Sequence, residues 1–64
     1  MVKINGTEVD TAGVSLAAYL ANAGYHLQRI AVERNGNIVP KSQYDTTILQ
    51  DGDTLEIVSF VGGG

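Results

Sequence analysis

The residues of this chain that can do chemistry stand at its end. Phe60-Val61-Gly62-Gly63-Gly64 runs an apolar, strand-like segment into three glycines and a carboxylate. Glycine has no side chain to bury and loses more backbone entropy on ordering than any other residue. Chain ends are poorly ordered unless tied down. The glycines therefore read as a thin, flexible tether over 62–64. Such a tether can thread a narrow passage and deliver the Gly64 carboxylate to another protein's active site. A frayed end or an expression scar is the plain alternative, but no Ser or linker residue separates the glycines from the strand-like run.

An α-carboxyl group, with a reference pKa of about 3.3–3.7, is ionised at neutral pH. A carboxylate resists nucleophilic attack until it is converted to an anhydride-like acyl phosphate. Nothing in this chain does that. It has no Gly-x-x-x-x-Gly-Lys loop to cradle phosphates and no basic cluster for a nucleotide. It has no cysteine, hence no thiol for nucleophilic catalysis, persulfide carriage or redox exchange. No nucleophile, base and orienting group can be assembled, so no catalytic residue is assigned and the chain reads as a substrate rather than an enzyme. Activation must come from outside.

The remaining polar residues support no second site. His26 follows the helix in Gly24-Tyr25-His26 without a carboxylate or nucleophile spaced to work with it, and reads as an exposed loop residue. Asp51 and Asp53 flank Gly52; turn formation explains them, since the further ligands of a calcium loop are missing and no metal is expected. Lys3, Arg29, Arg34 and Lys41 are scattered, and the net charge is −3, so the basic stripe that nucleic acid requires is lacking. Met1-Val2-Lys3-Ile4 lacks the blocks of a signal peptide, and no apolar run approaches the roughly 18 residues of a membrane span. The expectation is a cytoplasmic monomer without bound cofactor.

Sixty-four residues allow one small domain, expected to span 1–64. At this size only about 60% of the unfolded surface can be buried, and stability is modest. Asn5-Gly6 between alternating segments predicts a hairpin of strands at about 1–5 and 7–11. Ser15 is a candidate N-cap, and Leu16, Tyr19, Leu20 and Ala23 mark one face of a helix over about 15–23, ended by Gly24. Ile30–Arg34 reads as a strand, turned by Asn35-Gly36-Asn37 into Ile38-Val39, with Pro40 closing it. Residues 41–50, holding Tyr44, Ile48 and Leu49, form an irregular crossover before a final strand from Thr54 to Val61. The last strand is expected in the middle of a mixed sheet of four to five strands, parallel to the first, with the helix across one face. That is an α+β fold of the β-grasp (ubiquitin-like) type. Alternation along the final strand puts Leu55 and Ile57 inward and Glu56, Val58 and Phe60 outward. Val58 and Phe60 then read either as a docking patch leading to the tail or as positions covered by a neighbouring element.

A chain of this length and pattern, ending in glycines, resembles the ubiquitin-like sulfur carriers, and among them the ThiS family of thiamin (thiazole) biosynthesis. The matching pieces are Asn5-Gly6, Ala31-Val32-Glu33-Arg34-Asn35, Ile38-Val39-Pro40-Lys41 with Tyr44, Leu49-Gln50-Asp51-Gly52-Asp53-Thr54-Leu55-Glu56-Ile57-Val58, and Phe60-Val61-Gly62-Gly63-Gly64. The resemblance implies that an E1-like, ThiF-type adenylyltransferase uses ATP and magnesium to adenylate the Gly64 carboxylate. Sulfur from a cysteine desulfurase or rhodanese-type donor then makes a thiocarboxylate. A ThiG-type thiazole synthase consumes that sulfur. Gly64 is then the modified residue, Gly62 and Gly63 the threading tail, and Val58, Phe60 and Val61 the docking residues. Within the same chemistry, carriers for molybdopterin or amino-acid sulfuration are rivals. A ubiquitin-like protein modifier is the rival from another class.

Overall fold

Two hairpins made by the same turn chemistry flank the last strand. The computed structural model describes residues 1–60. Strands β1 (Val2–Ile4) and β2 (Thr7–Val9) pair antiparallel, with Val2 opposite Val9. Between them Asn5 and Gly6 take φ of +50° and +87°. Positive φ at both central residues is the type I′ turn, whose twist matches that of the strands it joins, and Asn-Gly suits it best. Strands β3 (Ile30–Arg34) and β4 (Asn37–Ile38) repeat the device, with Asn35 and Gly36 at +53° and +86°. The second turn is thus two residues long. Asn37 already belongs to β4, and Val39 turns inward beyond it instead of forming part of the strand.

Strand β5 (Thr54–Ser59) lies between the hairpins, parallel to β1 through Lys3–Thr54 and Ile4–Leu55, and antiparallel to β3 from Ile30–Ser59 to Arg34–Leu55. The sheet order is β2-β1-β5-β3-β4, a mixed five-stranded β-grasp sheet as the pattern predicts. The elements are shorter than the sequence suggests. The first hairpin ends at Val9, after which Thr11 folds back to donate its N–H to the Val9 carbonyl at 3.1 Å.

Helix α1 (Leu16–Asn22) starts where Ser15 Oγ accepts the Ala18 N–H at 3.1 Å, as expected of an N-cap. Two further N–H groups of its first turn are taken by the crossover, Leu16 donating to the Thr47 carbonyl at 2.7 Å and Ala17 to that of Tyr44 at 3.0 Å. The helix stops at Gly24, whose φ of +84° is a left-handed conformation open to glycine. Leu16 and Leu20 are fully buried against Val2, Ile4, Ile30, Val32, Leu55 and Ile57, so the helix lies on one face of the sheet. Tyr19 and Ala17 pack at the margin of this core, whereas Ala23, expected on the same stripe, is exposed because the helix ends there. The crossover supplies Tyr44 and Leu49 to the core from beyond Pro40 and the short 3₁₀ turn Lys41–Gln43. Burial pushes the Tyr44 and Tyr19 hydroxyl pKa values up, because the phenolate form is poorly solvated there.

Candidate functional site

The site is built around β5, the strand that leads to the glycines. Its position is fixed by both turns. Beyond Ile4, strand β1 has ended, yet β5 continues, and the Asn5 side chain takes over the ladder. Its Oδ1 accepts the Ile57 N–H at 2.8 Å and its Nδ2 donates to the Ile57 carbonyl at 3.2 Å, while the Asn5 N–H donates to the Leu55 carbonyl at 3.0 Å. A side-chain amide thus replaces the missing backbone partner. On the other side Asn35 does related work, its N–H donating to the Thr54 carbonyl at 2.8 Å and its Oδ1 accepting the Thr54 N–H at 2.9 Å. The turn asparagines therefore serve twice, once in the turn and once as clamps. The sequence carried a signal for this, since Asn stands at both first turn positions and has an amide that can do both.

The start of β5 is held by Asp53, which is only 7% exposed. Its Oδ2 accepts Arg34 Nε at 2.9 Å and the Gln50 N–H at 2.9 Å, and its Oδ1 accepts Asn35 Nδ2 at 3.0 Å. Burial alone raises a carboxyl pKa, but these hydrogen bonds and the Arg34 guanidinium outweigh it and hold Asp53 below the ordinary value. Sequence reasoning read Asp53 as a turn former and Arg34 as scattered charge. Their partnership was invisible because 19 residues separate them. Asp51 has a different task, pairing with the N-terminal amino group while the Gly52 N–H reaches the Met1 carbonyl at 2.8 Å.

Alternation holds through the strand. Leu55 and Ile57 are buried, whereas Val58 and Phe60 are 58% and 50% exposed on the face away from α1. No element of residues 1–60 covers either of them to core level. The Phe60 N–H donates to the Arg29 carbonyl at 2.7 Å, which prolongs the β3–β5 ladder by one bond past Ser59. The sequence-predicted residues Val61, Gly62, Gly63 and Gly64 lie outside the described residues. His26 is exposed in the loop before a 3₁₀ turn, Leu27–Arg29, as read. Among the described residues no group of three or more His, Cys, Asp or Glu side chains comes together as a metal site. None of the described helices is long and apolar enough to cross a membrane.

The arrangement is a strand held from both sides by the turn asparagines, with Val58 and Phe60 uncovered toward its C-terminal end. The model of the ThiS family matches residues 2–64. The chain belongs to the ThiS family. It is 38% identical to the Bacillus subtilis protein named sulfur carrier protein ThiS, with 100% of both chains covered. The crystal structure of a thiamine biosynthesis protein (ThiS) from Geobacter metallireducens superposes with a TM-score of 0.76 at 31% identity, covering 98% of this chain and 97% of that one. A protein named thiazole synthase from Paramagnetospirillum magneticum is 48% identical over 62 residues, 95% of this chain. This ThiS-family chain spans only 19% of that relative's length, so a carrier-like stretch there is part of a much longer polypeptide.

The exposure of Phe60 sets a test of the fold. Phe60→Asp changes the folding free energy by no more than about 0.5 kcal/mol, as surface substitutions do. Thermal unfolding followed by circular dichroism checks this. A fall in Tm of more than about 8 °C, equivalent to over 1 kcal/mol in so small a domain, would place the ring in the core.

Proposed function

We propose that this chain is the sulfur carrier of thiazole formation, acting as one domain over 1–64 in the cytoplasm. The observation that carries the reading is the end-to-end match with a ThiS sulfur carrier, 38% identical with both chains fully covered. Gly64 is the modified residue. Its carboxylate attacks the α-phosphorus of ATP on a ThiF-type, E1-like adenylyltransferase, forming an acyl adenylate and releasing pyrophosphate. ATP and magnesium are held by that enzyme, not by the carrier. The outer sulfur of a persulfide on a cysteine desulfurase or rhodanese-type donor then attacks the acyl carbon and displaces AMP, giving an acyl disulfide. A second thiol attacks the donor cysteine sulfur, forms a disulfide with it and releases the terminal thiocarboxylate. A ThiG-type thiazole synthase is the acceptor. The relative named thiazole synthase, which carries a stretch similar to this chain within one polypeptide, supports that pairing.

The carrier does no catalysis in this scheme. Gly62 and Gly63 thread the enzyme because they present nothing but backbone. Val58, Phe60 and Val61 dock beside the entrance, the first two supported by their exposure. The fold supports presentation of the terminus by fixing β5 from both sides, at Asn5 and at Asn35.

Incubation with the activating enzyme, ATP, magnesium and a sulfur donor tests this by intact mass. The expected product is heavier by about 16 Da, one oxygen exchanged for sulfur. A ladder of adducts to other proteins would instead identify a modifier, and an unchanged mass would contradict the carrier reading.

A further inference from the structure

Both two-residue turns put an asparagine immediately before a glycine, and that pairing carries a reaction of its own. The Gly36 amide nitrogen, giving up its proton to solvent base, can attack Cγ of Asn35. The Cγ–Nδ2 bond breaks, ammonia leaves, and a five-membered imide remains. Water then opens the ring at either carbonyl, leaving aspartate or, where the chain now runs through Cγ, isoaspartate at position 35. Nothing is oxidised or reduced, and water is the only co-reactant. A following glycine favours the attack because it has no side chain to crowd the nitrogen. Asn22 precedes Ala23 and Asn37 precedes the β-branched Ile38, so those two are poorer substrates.

The closed β3–β4 hairpin holds Asn35 back from this reaction. Its Nδ2 donates to Asp53 Oδ1 at 3.0 Å, and its Oδ1 accepts the Thr54 N–H at 2.9 Å. Both bonds run to the head of β5. They must break before the amide can turn onto the Gly36 nitrogen and lose ammonia. Asn5 is held in the same way by the two backbone groups of Ile57. The two positions differ in what conversion leaves behind. At Asn5 the new oxygen faces a neutral carbonyl. At Asn35 it faces the buried carboxylate of Asp53, whose other oxygen is already taken by Arg34 Nε and the Gln50 N–H. Like charges that close repel each other. Isoaspartate also adds a backbone carbon to a turn whose two residues are fixed at φ of +53° and +86°.

We propose that Asn35 is a self-modification site, guarded by the closed β3–β4 hairpin, whose conversion sets a second carboxylate against Asp53 and releases the start of β5 from its clamp. A domain of 64 residues has modest stability and opens often enough to expose the site. Conversion runs one way, so a chain converted while open does not reclose on the same clamp.

The test follows each asparagine by peptide mapping with mass spectrometry, reading conversion as a gain of about 1 Da. The chain is incubated in mildly alkaline buffer with and without urea. In urea, Asn35 and Asn5 should convert at similar rates, at least about tenfold faster than Asn22 and Asn37. Without urea the Asn35 rate should drop at least about tenfold. Asn35→Asp, which reproduces the direct product, should melt about 5–10 °C below wild type. Asn5→Asp adds the same charge opposite a neutral group and should lose less than half as much. An Asn35→Asp chain too unstable to fold supports the inference if Asn5→Asp folds. Equal Asn35 rates with and without urea, an Asn35 rate in urea no faster than that of Asn22, a wild-type Tm for Asn35→Asp, or equal losses from the two variants would each overturn it.

Discussion

Appending a single alanine after Gly64 abolishes activation while leaving Tm unchanged. The extended chain still ends in a carboxylate, but that group is displaced by about 3.5 Å and sits on a carbon bearing a methyl group. Acyl adenylation needs the carboxylate oxygen in line with the α-phosphorus. A misplacement of about 1 Å already costs on the order of 100-fold in rate. ATP–pyrophosphate exchange catalysed by the activating enzyme should therefore fall at least about 100-fold with the extended carrier. Folding is indifferent, because the core formed among the described residues runs from Val2 to Ile57 and a glycine brings no side chain to bury. Exchange at the wild-type rate would mean that the enzyme does not act on the terminal carboxylate.

The second large effect falls on stability. Asp53→Ala strips the partner from Arg34, from the Gln50 N–H and from Asn35 Nδ2 in one step. Breaking a fully buried charge pair costs about 3–5 kcal/mol. The Arg34 side chain is 31% exposed and water reaches it, which brings the expectation down to about 2–3 kcal/mol. In a domain this small that lowers Tm by about 10–20 °C. The same group gives stability a pH dependence of defined sign. The Asp53 pKa is depressed in the folded state, so the unfolded chain binds the proton first as pH falls. Its contribution is present above the unfolded carboxyl pKa and is lost as pH drops through the lower folded value. Urea unfolding from neutral to acid pH should show wild type losing stability over that window and Asp53→Ala losing less. Parallel curves for the two would show that Asp53 is not the group responsible.

The fold was legible where periodicity carried it. Alternation in Thr54–Ser59 correctly put Leu55 and Ile57 inside and Val58 outside, because strand geometry leaves a side chain two choices. The Asn-Gly pairs marked both hairpins because few other dipeptides tolerate positive φ at both turn positions. The crossover was not legible in the same way. Tyr44 and Leu49 are core residues in a segment without a repeat, and the carbonyls of Tyr44 and Thr47 cap a helix that begins 28 and 31 residues earlier, at Leu16. Asp53 was hidden for a related reason. An aspartate in a glycine turn has the same local signature whether it faces water or Arg34. Ala23 shows the converse error, where a helical period was extended past the end of the helix. As for the candidate site, the sequence pointed to the exposed pair Val58 and Phe60 and marked Asn5 and Asn35 as turn residues, but their second task as clamps depends on which strand lies beside them.

The central claim is that chemistry happens at one atom, the carbonyl carbon of Gly64, and that the folded body serves to present it. Fragmentation mass spectrometry of the product formed with activating enzyme, ATP and sulfur donor tests that claim most directly. The account predicts a gain of about 16 Da carried only by C-terminal fragments that contain Gly64, and lost again on transfer to thiazole synthase. An oxygen-to-sulfur exchange found on any fragment lacking Gly64 would contradict it.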